Sequence, residues 1–397
     1  MSRQVYLDYA ATTFTAPEVV SAMTPYFTQS FGNPSSIYSF SESNRKAMAV
    51  ARQQTADVLG AAKEEIFFTS GGTEADNWAL KGVAWRNRSK GNHIITTKIE
   101  HHAVLHTAQF LQENGFEVTF LDVDAEGRVR LEDLIKAVTD KTALISVMFA
   151  NNEIGTIQPI AEIGAFCREK GIVFHTDAVQ AVAHVPIDVK AMNIDLLSLS
   201  AHKFYGPKGV GALYVRKGIK IDNFMHGGGQ ERGKRATTEN VAGIVGLGAA
   251  IELTASRMIE ASSRVGKLRN MLIDGVMHVI PHAKLNGAPV GERLPNNSNF
   301  SFIGIEGETL LLDLDGAGIY ASTGSACSSG SLDPSHVLMA IGLSHEQAHG
   351  SLRMTLGEET SEEDIRYVLS VLPGIVERRR AMSPLWEDFL KNTQGGK

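Results

Sequence analysis

Between residues 66 and 215, short apolar runs alternate with longer amphipathic ones. The runs Ile66–Thr69, His93–Thr97, Glu117–Val123, Ala143–Phe149, Ile172–Thr176, Leu196–Ser200 and Gly211–Val215 include several rich in Val, Ile, Thr and Phe, with turn residues nearby. They predict strands. The segments Thr73–Arg88, His102–Asn114, Leu131–Val138 and Pro159–Lys170 lie between them and predict helices. Strands alternating with helices require crossover connections, so the pattern predicts an α/β fold: a mainly parallel, seven-stranded sheet flanked by helices. Ligands of such sheets sit at the carboxyl ends of the strands, which directs attention to the residues just after each one.

Near residue 245 the pattern changes. Val245–Ile280 reads as one long helix ended by Pro281. A turn-rich stretch, LNGAPVGERLPNN, then leads to a strand at Ser298–Phe302 and a helix at Thr309–Asp315. This predicts a second, smaller α+β unit. No internal repeat or low-complexity tract interrupts the chain, and the tail Asn392–Lys397 is polar.

Composition narrows the class. The chain has 397 residues, 43% hydrophobic and 21% charged, ordinary for a globular protein. Its formal charge of −6 supplies no general field for nucleic acid. Two cysteines, Cys167 and Cys327, make no disulfide framework and fit a reducing compartment. The start, MSRQVYLDYAATT, lacks an apolar stretch and a small-residue cleavage site, and no apolar run approaches the ~18 residues of a membrane helix. The expectation is a cytoplasmic protein with no membrane and no nucleic-acid partner.

Three strand ends carry chemistry. After the first strand comes Thr69-Ser70-Gly71-Gly72-Thr73-Glu74, where glycines and a helix N-terminus can offer backbone N–H groups to an anion. Taken alone, a plain helix cap, Thr73 with Asp76, is the simpler reading. After His175-Thr176 comes Asp177, either a solvated surface group or a charge held against a cationic ligand atom. After Leu199-Ser200-Ala201-His202 comes Lys203, followed by Phe204-Tyr205-Gly206-Pro207. A lysine is usually solvated. One at the mouth of a parallel sheet can supply a free amine for Schiff-base chemistry, because partial desolvation lowers its pKa. Together, an anion-cradling turn, a strand-end Asp and a strand-end Lys match the needs of pyridoxal 5'-phosphate, with a generic α/β enzyme as the other reading.

A fourth feature is Ala321-Ser322-Thr323-Gly324-Ser325-Ala326-Cys327-Ser328-Ser329-Gly330-Ser331, a run of small residues around one thiol. It is either an incidental cysteine on a surface loop or a nucleophile, which must act as thiolate. A loop able to move would carry the thiol between a buried site and an external acceptor. Cys167 lies beside the apolar positions Ile160, Ile163 and Phe166 and reads as core.

These residues and their neighbours resemble the pyridoxal-phosphate-dependent cysteine desulfurases of the NifS/IscS kind. The blocks that carry the resemblance are IEHHAVL (99–105), ANNEIG (150–155), HTDAVQ (175–180), SAHKFYGPKGVG (200–211), GGGQERGKR (227–235) and STGSACSSGSLDPSHVL (322–338). The match runs from Tyr6 to about Ser383. It implies a fold-type-I transferase with a large cofactor-binding domain over 16–262. A small domain would come from 1–15 and 263–397 and carry the cysteine loop at about 321–333.

By this resemblance Lys203 forms the Schiff base, Asp177 partners the pyridine nitrogen and Gln180 donates to the ring hydroxyl. His101 stacks on the ring and moves protons. Gly72, Thr73, Ser200 and His202 belong to the phosphate end, with Thr238 lent by a neighbouring subunit of a homodimer. Asn152 and Arg353 hold the substrate carboxylate. Cys327 takes sulfur from L-cysteine as a persulfide, leaving L-alanine, and passes it to an acceptor such as an iron–sulfur scaffold protein. A selenocysteine lyase or an aminotransferase of the same fold is the alternative.

The chain departs from the family pattern at Phe14, Tyr38 and Phe40-Ser41, and at Thr237, which stands where a glycine is usual. If that position needs φ > 0, Thr237 adds strain. Other features are set aside. Asp122–Asp133 imitates a calcium loop poorly. His102 and His106 have zinc-like spacing but no evident third ligand. Arg378-Arg379-Arg380 reads as a solvated helix face. Trp386, Phe389 and Leu390 read as packing on the body, with a docking surface for a scaffold protein as the sharper alternative.

Overall fold

A computed structural model describes residues 3–323 and 334–394. Cys327 lies outside the described residues. The strands, in chain order, are β1 (Val5–Tyr6), β2 (Ile66–Thr69), β3 (His93–Thr97), β4 (Glu117–Leu121), β5 (Thr142–Ser146), β6 (Val173–Asp177), β7 (Leu196–Ser200), β8 (Gly211–Val215), β9 (Ala283–Leu285), β10 (Asn297–Phe302), β11 (Ile319–Tyr320) and β12 (Ser351–Thr355). The central sheet has seven strands in the order β2-β8-β7-β6-β5-β3-β4. Only β8 runs against the rest: it pairs antiparallel with both β2 and β7, because the short connection after Ser200 returns the chain without a crossover helix. β5, β6 and β7 are largely buried, as strands covered on both faces must be.

The Gly72–Asn87 helix packs Trp78, Leu80 and Val83 on one face of the sheet with Ile94, Leu144 and Leu196. On the other face lies a core that includes Ile145, Phe174, Leu197 and Leu199. A second core gathers Phe300, Phe302, Leu352 and Met354 with Leu310, Ile365 and Val368. Val5 and Leu7 join it through the parallel pairing of β1 with β11. The Val241–Val279 helix spans both cores, contributing Leu247 and Ile251 to the first and Leu272 and Val276 to the second. By length and apolarity this helix would suffice to cross a membrane. Its apolar residues instead fill two cores, and Arg257, Glu260, Arg264 and Lys267 interrupt it.

Two expectations need correction. Thr73 is no cap: the helix starts at Gly72, Gly71 is the N-cap residue, and no side chain caps it. The arginine triplet is not a uniformly solvated face. Arg379 pairs with Asp313 at 2.6 Å, and Arg380 is buried, donating to the carbonyls of Ile303 and Pro281. Arg380 also lies over the Trp386 ring, which stacks on Phe389, so the C-terminal helix packs on the body as its spacing suggested. Cys167 is 1% exposed, and burial pushes its thiol up to about 12, which leaves it inert.

Thr237 adopts φ +97°, a left-handed conformation costly for a β-branched side chain. Thr237→Gly removes that strain, worth roughly 1–3 kcal/mol, against about 0.5–1 kcal/mol of extra unfolded-state entropy. The expected result is a thermal midpoint higher by about 1 °C in a chain of this length. An unchanged or lower midpoint would show that the loop carries no strain there.

Candidate active site

Five strand ends converge on one cavity of about 380 Å³. Asp177 closes β6 and Ser200 closes β7, with Lys203 one turn beyond. Gly72 and Thr73 follow β2, His101 follows β3, and Asn152 follows β5. Gly72, Thr73, His101, Asn152, Asp177, Gln180, Ser200, His202, Lys203 and Arg353 all line it. Thr238 is exposed and is not part of the lining.

Lys203 Nζ donates to the carbonyls of Ala10 and Ala11 at 2.6 and 2.8 Å. The N-terminal segment therefore forms a wall of the site. Gln180 Nε2 also donates to Ala10 O at 3.0 Å, and Thr13 N donates to His202 O at 2.9 Å. Thr12 Oγ1 and His202 Nδ1 share a hydrogen bond of 3.0 Å.

Asp177 Oδ1 accepts from Val179 N at 2.9 Å. Burial raises its carboxyl to about 6, while the Val179 N–H and Lys203 pull it back down. Such a carboxyl is suited to a cationic ligand atom, which would restore its full charge. Behind it, Asp76 is buried and held well above the ordinary carboxylate range, first by desolvation and then by Asp177. Glu100, buried, is pushed up to about 8 despite accepting from Met148 N and Thr97 Oγ1.

His101 caps the His102–Glu113 helix, its Nδ1 accepting from Ala103 N at 3.1 Å. That bond places the proton of the neutral ring on Nε2. Burial, then Lys203, lowers His101 to about 4, so the ring is neutral near pH 7. His202 is lowered to about 4 for the same two reasons. Among the described residues no group of three or more His, Cys, Asp or Glu side chains is arranged to hold a metal ion.

Arg353 on β12 is 2% exposed. Its Nη2 donates to Asp8 Oδ1 at 2.8 Å and its Nη1 to Asn152 O at 3.1 Å, while Nε has no partner among the described residues. Arg353 is thus a buried guanidinium on the cavity wall, with one N–H unpartnered among the described residues. Sequence reasoning missed Asp8, Asp76, Glu100, Glu153 and the Ala10–Ala11 carbonyls. Asp76 entered only as part of the supposed cap, and Glu100 and Glu153 only as members of the IEHHAVL and ANNEIG blocks, with no role given to them.

The residues fit pyridoxal 5'-phosphate. A half-buried amine and a buried carboxylate line one cavity, together with the uncapped helix start at Gly72, Ser200 and His202. A Cβ on Gly71 would meet only Ser200 Oγ, at 3.9 Å, so backbone there is open to a ligand, whereas one on Gly72 would strike Val179 at 2.6 Å.

Fold and site together define an α/β enzyme with a lysine-centred cofactor cavity at the carboxyl end of its sheet. The chain belongs to the class-V aminotransferase family, whose model matches residues 5–368, and within it to the cysteine desulfurases. It is 67% identical over 395 residues to a cysteine desulfurase IscS of Clostridium botulinum, covering 99% of this chain and 100% of that one. It is 59% identical to a cysteine desulfurase IscS of Methanosarcina thermophila, covering 97% and 95%. Among solved structures, a NifS-like protein aligns with TM-score 0.89 at 40% identity, covering 95% of this chain and 100% of that one. SspA in complex with cysteine aligns with TM-score 0.79 at 38% identity, covering 90% and 100%.

Proposed function

We propose that this enzyme uses pyridoxal 5'-phosphate to remove sulfur from L-cysteine, releasing L-alanine and leaving the sulfur as a persulfide on Cys327. The observation that carries the reading is the arrangement of Lys203, Asp177 and Arg353 around one cavity. When bound, the cofactor supplies an electron-withdrawing ring that stabilises negative charge at the amino acid's Cα.

The chain's own residues do the rest. Asp177 holds a proton on the ring nitrogen, and Gln180 donates to the ring hydroxyl. The Gly72 and Thr73 turn, Ser200 and His202 bind the phosphate. Arg353 and Asn152 hold the substrate carboxylate. Lys203 Nζ binds the cofactor and takes the Cα proton. His101 would lie against the ring when it is bound and would move a proton through Nε2. The Cys327 thiolate attacks the substrate sulfur: an S–S bond forms, the C–S bond breaks, and its electron pair stays on Cβ, which takes a proton. L-cysteine and the Cys327 thiol thus become L-alanine and the Cys327 persulfide, with no outside oxidant or reductant.

The same reading assigns 16–262 to a large domain and 1–15 with 263–397 to a small one. It makes the enzyme a homodimer: Phe27, Phe31, Ile37, Tyr38 and Phe40 are exposed at 63%, 68%, 98%, 55% and 51%, an apolar surface that a second copy would cover, and Thr238 is free to reach the partner's cofactor phosphate. The sulfur acceptor is a protein, an iron–sulfur scaffold being the one expected, and the compartment is the cytoplasm. The test is turnover of L-cysteine with a thiol reductant, which should give alanine and sulfide in equal amounts. Pyruvate or another keto acid as the carbon product would show elimination or amino transfer instead.

A further inference from the structure

Arg353 carries its own carboxylate before any ligand arrives. Asp8 Oδ1 sits 2.8 Å from Arg353 Nη2, in a pair whose side chains are 18% and 3% exposed. Asp8 is not a chance neighbour. Its backbone bridges Thr355 on β12, two residues from Arg353, and the Tyr6 hydroxyl donates to Asp8 O and to Thr12 O, both at 3.0 Å. Ala10 N donates to Thr355 Oγ1 at 2.9 Å, so the segment is pinned on both sides of Asp8.

The other acid near Arg353 is Glu153. It is buried, accepts from Ser335 Oγ, and is raised by burial to about 7. Of the two acids, Asp8 is the one in direct contact with the guanidinium, so it is the direct counter-charge of Arg353. A ligand carboxylate docking on Arg353 must share the guanidinium with Asp8 and lies within a few ångströms of its charge. In a partly desolvated pocket that repulsion is substantial.

We propose that Asp8 is a positioning residue with a second effect: it fixes the Arg353 guanidinium at the cavity wall, and its charge limits how tightly the site holds an α-carboxylate, so that the amino-acid product can leave. This rests on the reading of Arg353 as the carboxylate receptor. A buried arginine with no counter-ion would gain more from any carboxylate and release it more slowly.

The test measures binding of L-alanine and of cysteamine, an amine thiol without a carboxylate, to the cofactor-loaded enzyme by calorimetry. Asp8→Asn keeps an acceptor for Nη2 and removes the charge, and it should tighten L-alanine by about three-fold or more. Asp8→Glu keeps the charge and should not tighten it. Cysteamine should respond to neither. KM for L-cysteine should fall with the Asn change while kcat does not rise. If Asp8→Asn does not fold, Asp8→Ser removes the same charge and should tighten L-alanine likewise. Tightening below three-fold, equal tightening by Glu, or a parallel change for cysteamine would overturn the assignment. A wild-type enzyme with no affinity for L-alanine would instead overturn the carboxylate role of Arg353 itself.

Discussion

Lys203→Ala is expected to lose turnover by a factor on the order of 10⁴ or more, and to lose the visible absorbance that marks cofactor bound through the amine. The size follows from two jobs done by one atom. On the proposed reading, Nζ would hold the cofactor and would also be the base that takes the Cα proton. Its position is set by the turn after β7 and by the Ala10 and Ala11 carbonyls, at 2.6 and 2.8 Å. Removing the side chain leaves those carbonyls to solvent, with little cost to a fold built on the two cores. Folded, colourless, inactive protein is therefore the predicted outcome. Retained absorbance or retained turnover would place the cofactor elsewhere.

Asp177→Asn is expected to be the next most damaging change, about 10²–10³-fold in turnover, with cofactor still attached. Asn keeps the size of the side chain and can accept from Val179 N, so the strand end should hold its geometry. It cannot keep the ring nitrogen protonated, and the negative charge at Cα then goes unbalanced. The contrast with Lys203→Ala is diagnostic: absorbance survives in one and vanishes in the other. A fully active Asn variant would mean that another group, with Asp76 the nearest candidate, carries that charge.

Much of the fold was legible because its strands are short, apolar and fenced by turn residues. Ile66–Thr69, His93–Thr97, Leu196–Ser200 and Gly211–Val215 have the ends the pattern predicts. The reversed β8 was hidden, since a tight return and a crossover look alike in composition. The Glu42–Leu59 helix also escaped notice. Its buried face includes Ala51 and Ala56, too small to stand out as an apolar stripe, because it meets the Val241–Val279 helix closely. A Cβ on Gly248 would lie 2.5 Å from the Ala51 Cα.

The site divides the same way. Lys203 and Asp177 stand out because strand ends are where such sheets bind ligands, and the family resemblance adds Gln180, His101 and Arg353. Asp8 left no local signal: its partner is 345 residues away, and only folding brings β1 and β12 together. Asp76 stood out only as part of a supposed cap, and Glu100 and Glu153 only as members of the IEHHAVL and ANNEIG blocks, since a buried acid and a solvated one read alike in sequence. The arginine triplet misled for the reverse reason, because the acceptors of Arg380 are backbone carbonyls.

The central claim is that sulfur leaves L-cysteine by capture on one thiol of this chain. Mass spectrometry of peptides, after brief exposure of the cofactor-loaded enzyme to L-cysteine without reductant, tests it most directly. The account predicts one extra sulfur on the peptide containing Cys327 and none on that containing Cys167. Extra sulfur on Cys167, or alanine formed while Cys327 stays unmodified, would contradict it.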